Sequence, residues 1–354
     1  MKRNILIGGA WPYANNSLHI GHLAALLPAD VIARYYRGLG DEVVYVSGSD
    51  CHGTPITVRA KKEGVKPVDI ATKYHEEFVN SFNSLDFSYD LYTATMTLTH
   101  KQKVMEYFTK ILENGYIYEK EEEQDYCPNC EEFLSDREIL GTCPICGGKA
   151  MGEQCDECLS PIDPSKLLSK HCKTCNSETI IKKNKHLYFK LSAFQKVLEE
   201  FINSHENDWR KNALNESKKY LNLGLIDRAA TRQLDWGVDV PVSGYEDKKI
   251  YVWIEAVLGY LTASEQVLKE RGIDFNSFVT DNDNLRTYFV HGKDNITFHT
   301  IIYPALLQAI NPKWQLPKYI ISSEYVNMND EKMSKSKGNL ITVDRMLSST
   351  HFRP

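Results

Sequence analysis

Four C-x-x-C pairs, Cys127/Cys130, Cys143/Cys146, Cys155/Cys158 and Cys172/Cys175, take up eight of the nine cysteines, with 12, 8 and 13 residues between successive pairs. One such turn offers two thiolates to a single ion, and two turns close a tetrahedral site. Eight thiolates imply two zinc ions, and four pairs can be joined two by two in three ways. Proline and glycine inside the turns, as in Cys127-Pro128-Asn129-Cys130 and Cys143-Pro144-Ile145-Cys146-Gly147-Gly148, suit the reversal a knuckle requires. A redox C-x-x-C belongs at a strand-to-helix junction, and none of these pairs is at one. A closed four-thiolate site leaves no coordination position open, so the metal is expected to fold its own segment while the chemistry lies elsewhere. The ninth, Cys51, has no activating partner in the sequence and reads as a small packing residue.

Two polar motifs carry that chemistry. Trp11-Pro12-Tyr13-Ala14-Asn15-Asn16-Ser17-Leu18-His19-Ile20-Gly21-His22 follows directly on the apolar run 4–10. His19 and His22, three apart at a helix start, share one face beside a terminus carrying partial positive charge, which suits a polyphosphate. Far downstream, Glu331-Lys332-Met333-Ser334-Lys335-Ser336-Lys337-Gly338-Asn339 alternates lysines with small hydroxyl residues. Each motif alone is weak: most such histidines are ordinary helix residues, and most such lysine loops are solvated surface. Neither a dinucleotide fingerprint (Gly-x-Gly-x-x-Gly) nor a P-loop (Gly-x-x-x-x-Gly-Lys-Ser) is present, so those two nucleotide-binding classes are excluded.

The elements that must position these motifs alternate. Residues 4–10 and 42–47 read as buried strands, 19–37 as an apolar helix, and 67–86 and 98–114 as amphipathic helices. From 116 to 186 periodicity gives way to Cys, Gly, Pro and charge, a stretch too long to be an unsupported loop. Helices are expected near 191–205 and 211–222. Strand–helix alternation then returns: 249–254 into 255–271, 285–291 into 295–310, and 319–322 into the lysine loop. The predicted fold is α/β, a doubly wound parallel sheet split by a metal-bearing insertion. The expected division is 1–115, the insertion 116–230 with its knuckles at about 127–175, 231–322, and 323–354. The tail Ser348–Pro354 carries no cap or core signal. Composition is that of a soluble enzyme, with 42% hydrophobic and 25% charged residues. No stretch has the length of a signal peptide core or a membrane span, which leads us to expect a cytoplasmic chain with no membrane partner. The net charge of −5 advertises no nucleic acid, so RNA would have to be met by local basic surface such as Lys170, Lys173 and Lys182-Lys183-Asn184-Lys185.

Together, His19-Ile20-Gly21-His22 and Lys332-Met333-Ser334-Lys335-Ser336 in one split α/β chain resemble the paired signatures of class I aminoacyl-tRNA synthetases, whose sheet is Rossmann-like. That resemblance implies adenylate formation from an amino acid and ATP with Mg²⁺, then transfer to the acceptor end of tRNA. It places His19 and His22 on the phosphates, with Lys332 and Lys335 on a loop that closes as charge develops on the leaving pyrophosphate.

Nearly the whole length further resembles methionyl-tRNA synthetases, through Pro12-Tyr13-Ala14-Asn15, Ser49-Asp50-Cys51-His52-Gly53-Thr54-Pro55, Tyr251-Val252-Trp253-Ile254-Glu255-Ala256, Gly292-Lys293-Asp294, Phe298-His299 and the knuckles. The resemblance implies a methionine substrate and tRNA(Met). It assigns one zinc to Cys143, Cys146, Cys155 and Cys158, and a second to Cys127, Cys130, Cys172 and Cys175. It assigns ATP contacts to Tyr13, Asn16, His19, Gly21, His22, Gly292, Asp294, Tyr325, Val326 and Lys335. Asp50 would bind the substrate ammonium, and Trp11, Tyr13, Trp253, Ala256, Val257, Tyr260, Phe298, His299 and Tyr303 would wall the side-chain pocket. Polarizable sulfur gains from such rings. Three positions depart from the family pattern: Trp11 for a small or aliphatic residue, Val257 for Pro, and Tyr303 for Trp. The family also continues into a helical anticodon-binding bundle, which this chain is expected to lack. Two other readings fit parts of the sequence. One is a paralogue activating an amino acid for a small molecule or carrier protein; the other is a zinc-knuckle nucleic-acid-binding module with an inactive nucleotide fold.

Overall fold

The computed structural model describes residues 2–134, 138–151, 154–155, 157–158, 166–280, 283–328, 331–332 and 340–349. The chain forms two units, Met1–Tyr118 with Phe189–Pro354, and Glu119–Tyr188. The smaller unit is thus shorter than the 116–230 insertion read from composition: residues 189–230 belong with the larger one.

The larger unit is built on five parallel strands, β1 (Asn4–Gly9), β2 (Glu42–Ser49), β3 (Leu91–Ala94), β4 (Leu285–Gly292) and β5 (Tyr319–Ser323), in the order β5-β4-β1-β2-β3. β1 is central, with Gly8 beside Phe289 on one side and Val46 on the other. Its near-continuous apolar run fits a strand covered on both faces. Ile5 and Ile7 pack with Ala29 and Ala33 of α1 (Ile20–Gly38). Twelve further helices or helical turns are present among the described residues. Those that bear on the site are α2 (Thr54–Glu63), α3 (Pro67–Ser84), α4 (Leu98–Glu113), α5 (Gln195–Ser204), α6 (Lys211–Asn222), α7 (Val252–Glu270) and, after α8 (Phe275–Thr280), α9 (Tyr303–Ile310). Because strand order reverses at β1, connections leave β1 and β4 in opposite directions and open a crevice at their C-terminal ends, where ligands bind in such sheets.

One element differs from the sequence reading. The run Lys249–Ile254 is a strand only at Lys249–Ile250, which pairs antiparallel with Thr231–Arg232 outside the main sheet, and α7 begins at Val252. A six-residue apolar run has no periodicity to separate strand from buried helix. The consequence is functional, because Trp253, Glu255 and Ala256 project from a helical first turn.

In the smaller unit, the strands Ile117–Cys127 and Ile180–Phe189 are sheet neighbours, and Glu132–Phe133 pairs with the first. A second sheet joins Gln154–Cys155, Lys149–Met151, Ile139–Thr142 and Leu168–Cys172. Among the described residues its core is small and made largely of sulfur: Cys127, Cys143 and Cys172 with Leu134, Ile139, Ala150 and Leu167. Such a core is too thin to hold a unit of this size without a staple. The lysines offered by the sequence as an RNA contact are engaged within the unit. Lys183 and Lys185 pair with Glu121 and Glu119, Lys170 with Asp125, and Lys182 lies over the Tyr126 ring. Among the described residues no helix is long and apolar enough to cross a membrane.

Candidate active site

The crevice at the C-terminal ends of β1 and β4 is a cavity of about 610 Å³. One end is made by the start of α1. His19 caps that helix: its Nδ1 accepts the Gly21 N–H at 3.1 Å, while His22 Nδ1 accepts the His19 N–H at 3.1 Å. This reciprocal cap satisfies two helix N–H groups that would otherwise lack a partner. It also fixes the chemistry: with each Nδ1 accepting, the ring proton of each histidine sits on Nε2 and is a donor. Burial, and the neighbouring His19, push the His22 pKa down to about 3, so this donor is neutral. The rings lie 3.9 Å apart.

The far side of the same end comes from the loop after β4 and from the end of β5. Gly292, Lys293, Asp294, Asn295, Ser323, Glu324, Tyr325 and Val326 line it. The Tyr325 hydroxyl donates to Asp294, and Lys293 pairs with Glu324 at 2.8 Å while lying over the Tyr325 ring. Lys332 follows in a short hairpin, Asn327–Met328 with Glu331–Lys332; its side chain, and Lys335, lie outside the described residues. The chain beyond the lysine motif returns to His19. The Ile20 N–H donates to Ile341 O at 3.1 Å and the Val343 N–H to Leu18 O at 2.9 Å. Backbone hydrogen bonds therefore join the histidine motif to the chain that follows the lysine motif.

Residues 5–353 match the family model for class I tRNA synthetases (M). The chain belongs to that family. It is 51% identical to methionine–tRNA ligase 1 of Alkaliphilus oremlandii and 50% identical to the methionine–tRNA ligase of Bacillus mycoides, in each case over 97% of this chain and 63% of the relative. The chain thus spans less than two thirds of the length of the curated relatives it matches. Its fold is that of Mycobacterium tuberculosis methionyl-tRNA synthetase in complex with methionyl-adenylate, with a TM-score of 0.71 at 24% identity over 97% of this chain and 61% of that one.

In this class I synthetase core the other end of the cavity is acidic and aromatic. Asp50 sits where β2 ends, buried, with its backbone paired to Pro12 and Ala14 and its Oδ1 accepting the His52 N–H at 3.3 Å. Burial, and then the charge of Glu255, raise its pKa well above the usual carboxyl range. Trp11, Tyr13, Trp253, Ala256, Val257, Tyr260, Phe298 and His299 line this end. Phe298 and His299 stand on a single π-helical turn, Phe298–Ile302, a form that recurs at functional sites. His299 is fixed at both nitrogens: Nδ1 donates to Asn295 O at 2.8 Å, so Nε2 accepts from the Tyr260 hydroxyl at 2.9 Å. Burial, and His291 stacked at 4.1 Å, keep it neutral.

Most of the residues named from sequence meet in this one cavity. Asn16 is not in its lining and accepts from Arg59 instead. Tyr303 is buried one layer back, packing on Tyr260 at 5.7 Å between ring centres. Sequence reasoning gave no role to Asn295, Glu324 or the buried histidines His52 and His100, although His52 lies in the quoted stretch Ser49–Pro55. Their one signal was a polar residue interrupting an apolar face.

The cysteine pairs are nested. The sulfurs of Cys127, Cys130, Cys172 and Cys175 lie within 4.8 Å of one another, and so do those of Cys143, Cys146 and Cys158. The backbone N–H groups of Cys130, Ile145 and Gly148 donate to Cys127, Cys143 and Cys146 Sγ, as knuckle turns do. The Cys155 side chain lies outside the described residues. Both groups could hold a metal ion.

Proposed function

We propose that this core activates methionine with ATP to methionyl-adenylate and passes the methionyl group to tRNA(Met). The observation that carries the reading is a single cavity with neutral histidine donors at a helix N-terminus at one end, and a buried carboxylate with an aromatic wall at the other. The names of the half-identical relatives point to the same substrate.

In this reading Asp50 takes the substrate ammonium, and the thioether lies among Trp11, Tyr13, Trp253, Ala256, Val257, Tyr260, Phe298 and His299, with Tyr303 behind. A carboxylate oxygen of methionine attacks the α-phosphorus, the bond from that phosphorus to the bridging oxygen breaks, and pyrophosphate leaves with the electron pair. A hydroxyl of the tRNA terminal ribose then attacks the activated carbonyl and AMP departs. No covalent enzyme intermediate is needed, so catalysis is alignment plus stabilisation of charge on the leaving group. His19 and His22 donate to phosphate oxygens, Gly21 leaves room between them, and Lys332 and Lys335 add positive charge. Gly292, Asp294, Tyr325 and Val326 hold the nucleoside. Mg²⁺ bound with ATP supplies further charge neutralisation.

The donor sets suit zinc, with Cys127, Cys130, Cys172 and Cys175 as one all-thiolate site and Cys143, Cys146, Cys155 and Cys158 as the other. Both are structural. The test is ATP–pyrophosphate exchange with each of the twenty amino acids and homocysteine. Exchange driven chiefly by methionine is expected. Another preferred amino acid would overturn the specificity, and none at all would overturn the chemistry.

A further inference from the structure

The turn that carries Asp50 is held by side chains that do not line the cavity. After β2 the chain reverses through Cys51, His52 and Gly53 into α2. The Cys51 N–H donates to Thr95 Oγ1 at 2.9 Å, and Trp236 Nε1 donates to Cys51 O at 2.7 Å, so the backbone is fixed from both sides. A Cβ on Gly53 would lie 3.2 Å from Val252 Cγ1, which packs the turn against the start of α7. The His52 N–H reaches back to Asp50 Oδ1 at 3.3 Å, and this ties the direction of the Asp50 carboxylate to the placement of His52.

His52 is placed by Glu255. The Glu255 carboxylate accepts from His52 Nδ1 at 2.7 Å, with both side chains buried, and the imidazole stands edge-on to Trp236 at 5.1 Å. Glu255 is met in turn by His100 of α4, whose Nε2 lies 3.5 Å from the same oxygen. His100 Nδ1 lies 2.9 Å from Thr262 Oγ1, about two helical turns beyond Glu255 on the same face of α7. His100 thus joins α4 to α7 at two points, and Glu255 carries that junction to the Asp50 turn.

Stability alone does not call for such a group. A buried ion pair costs about as much to desolvate as it returns, and apolar side chains of the same volume fill a core equally well. What the contact adds is direction, because a short charge-assisted hydrogen bond fixes two groups that apolar packing would let slide. The two ends of this contact serve different halves of the cavity. Trp253, Ala256 and Val257, beside Glu255 at the start of α7, line the side-chain end, whereas His52 is bonded to Asp50.

We propose that Glu255 is a positioning residue: through His52 it sets the Asp50 carboxylate at a fixed place relative to the helix that walls the side-chain pocket. Ammonium and side chain of one amino acid are then met together. The inference rests on the reading of Asp50 as the ammonium partner, and it requires no contact between Glu255 and the ligand.

The experiment separates the ammonium from the side chain. Pyrophosphate exchange gives KM for methionine and for ATP, and des-amino methionine, which keeps the thioether and carboxylate, is measured as a competitor. Glu255→Ala should weaken methionine about 10- to 100-fold, the scale of a misplaced binding group, and leave des-amino methionine and ATP unmoved. Glu255→Gln keeps an acceptor for His52 Nδ1 and should lose less. In an Asp50→Ala background, Glu255→Ala should cost methionine nothing further, because the link then has nothing to position. His52→Ala breaks the same link from its other end, and gives the same comparison where Glu255→Ala does not fold. Equal weakening of methionine and its des-amino form, or full additivity with Asp50→Ala, would overturn the inference by making Glu255 a support of the pocket wall alone. An Asp50→Ala chain that binds methionine as tightly as the parent would instead overturn the underlying assignment of Asp50.

Discussion

Replacing Gly259 by Ala should damage the amino-acid end of the cavity only because Trp11 is there. A Cβ built on Gly259 lies 2.7 Å from Trp11 Cζ2 and 2.8 Å from Cη2, well inside van der Waals contact. The indole cannot retreat, because on its other side Gly48 is so close that a Cβ there would sit 2.4 Å from Trp11 Cζ3. Trp11 is thus wedged between a glycine of β2 and a glycine of α7, and the open direction is the cavity it lines. Overpacking of this kind costs about 1–3 kcal/mol. If it is relieved by tilting the ring into the pocket, the same energy appears as roughly 5- to 150-fold in KM for the amino acid. In a Trp11→Leu background the clash is gone, and Gly259→Ala should be neutral or stabilising by up to about 1 kcal/mol, since alanine is the better helix residue. Urea denaturation and pyrophosphate exchange on the four chains of this cycle give a coupling energy, expected to exceed about 1 kcal/mol. Gly48→Ala is the internal control: its Cβ would also lie 2.6 Å from the Thr93 carbonyl oxygen, which no change at Trp11 relieves. Equal damage from Gly259→Ala in both backgrounds, or rescue of Gly48→Ala by Trp11→Leu, would refute the wedge.

Other consequences follow from the same geometry. His291 is fully buried and its pKa is pushed down to about 4 by burial, against its hydrogen bond to Gly292. A histidine depressed in the fold takes its proton preferentially when unfolded, so stability is unaffected above pH 6.5. It should fall by about 1.4 kcal/mol per pH unit for this group between 6.5 and 4. His291→Asn should flatten that limb in denaturation midpoints measured against pH, and an unchanged slope would contradict the assignment. Tyr260→Phe removes the donor to His299 Nε2 and leaves a buried acceptor without a partner, at a cost of about 1–3 kcal/mol. It should raise KM for the amino acid well above any change in KM for ATP, and equal effects on both would count against a side-chain pocket. Metal analysis should find two zinc ions per chain and one after Cys172→Ser, with protease cuts newly confined to 119–188; a protein that resists chelation and proteolysis alike would show the sulfurs to be unliganded. Lys183→Gln with Lys185→Gln should leave the salt dependence of tRNA binding unmoved, because Glu121 and Glu119 already occupy both lysines.

Legibility in the sequence tracked how local the cause was. β1, α1, α3 and α4 could be read because a long apolar period or a clear strand run specifies each within its own residues. β3 escaped because Leu91–Ala94 is four residues long, and its pairing with β2, not its composition, makes it a strand. The two nucleotide motifs were visible because spacing survives in sequence, and so were the cysteine pairs. Spacing alone leaves three pairings open; the resemblance implied the nested one, and the fold brings Cys127 and Cys130 together with Cys172 and Cys175. Nor could sequence reveal that Glu255 meets His52 and His100, since that contact is long-range and depends on where α7 begins. Reading Lys249–Ile254 as a strand would have set Glu255 on the wrong geometry altogether.

What the sequence could not show is the charge that several of the named residues carry in the fold. His22, His291 and His299 are held neutral by burial, Lys293 is matched by Glu324, and Asp50 is pushed toward its neutral form. Among the described residues, the cavity lining therefore offers no cation that is not already matched by a carboxylate. In the proposed reaction a pyrophosphate leaving group would thus meet no unmatched positive side chain in the described lining. Positive charge must arrive from outside the lining. The chain that leaves the cavity at Val326 and returns to His19 at Ile341 contains Lys332, Lys335 and Lys337, and its return is tied by hydrogen bonds to the helix cap that holds both histidines. The chain that resumes after the lysine motif is thus hydrogen-bonded to that cap, and in the proposed reaction the motif's lysines would supply the charge that the described lining lacks.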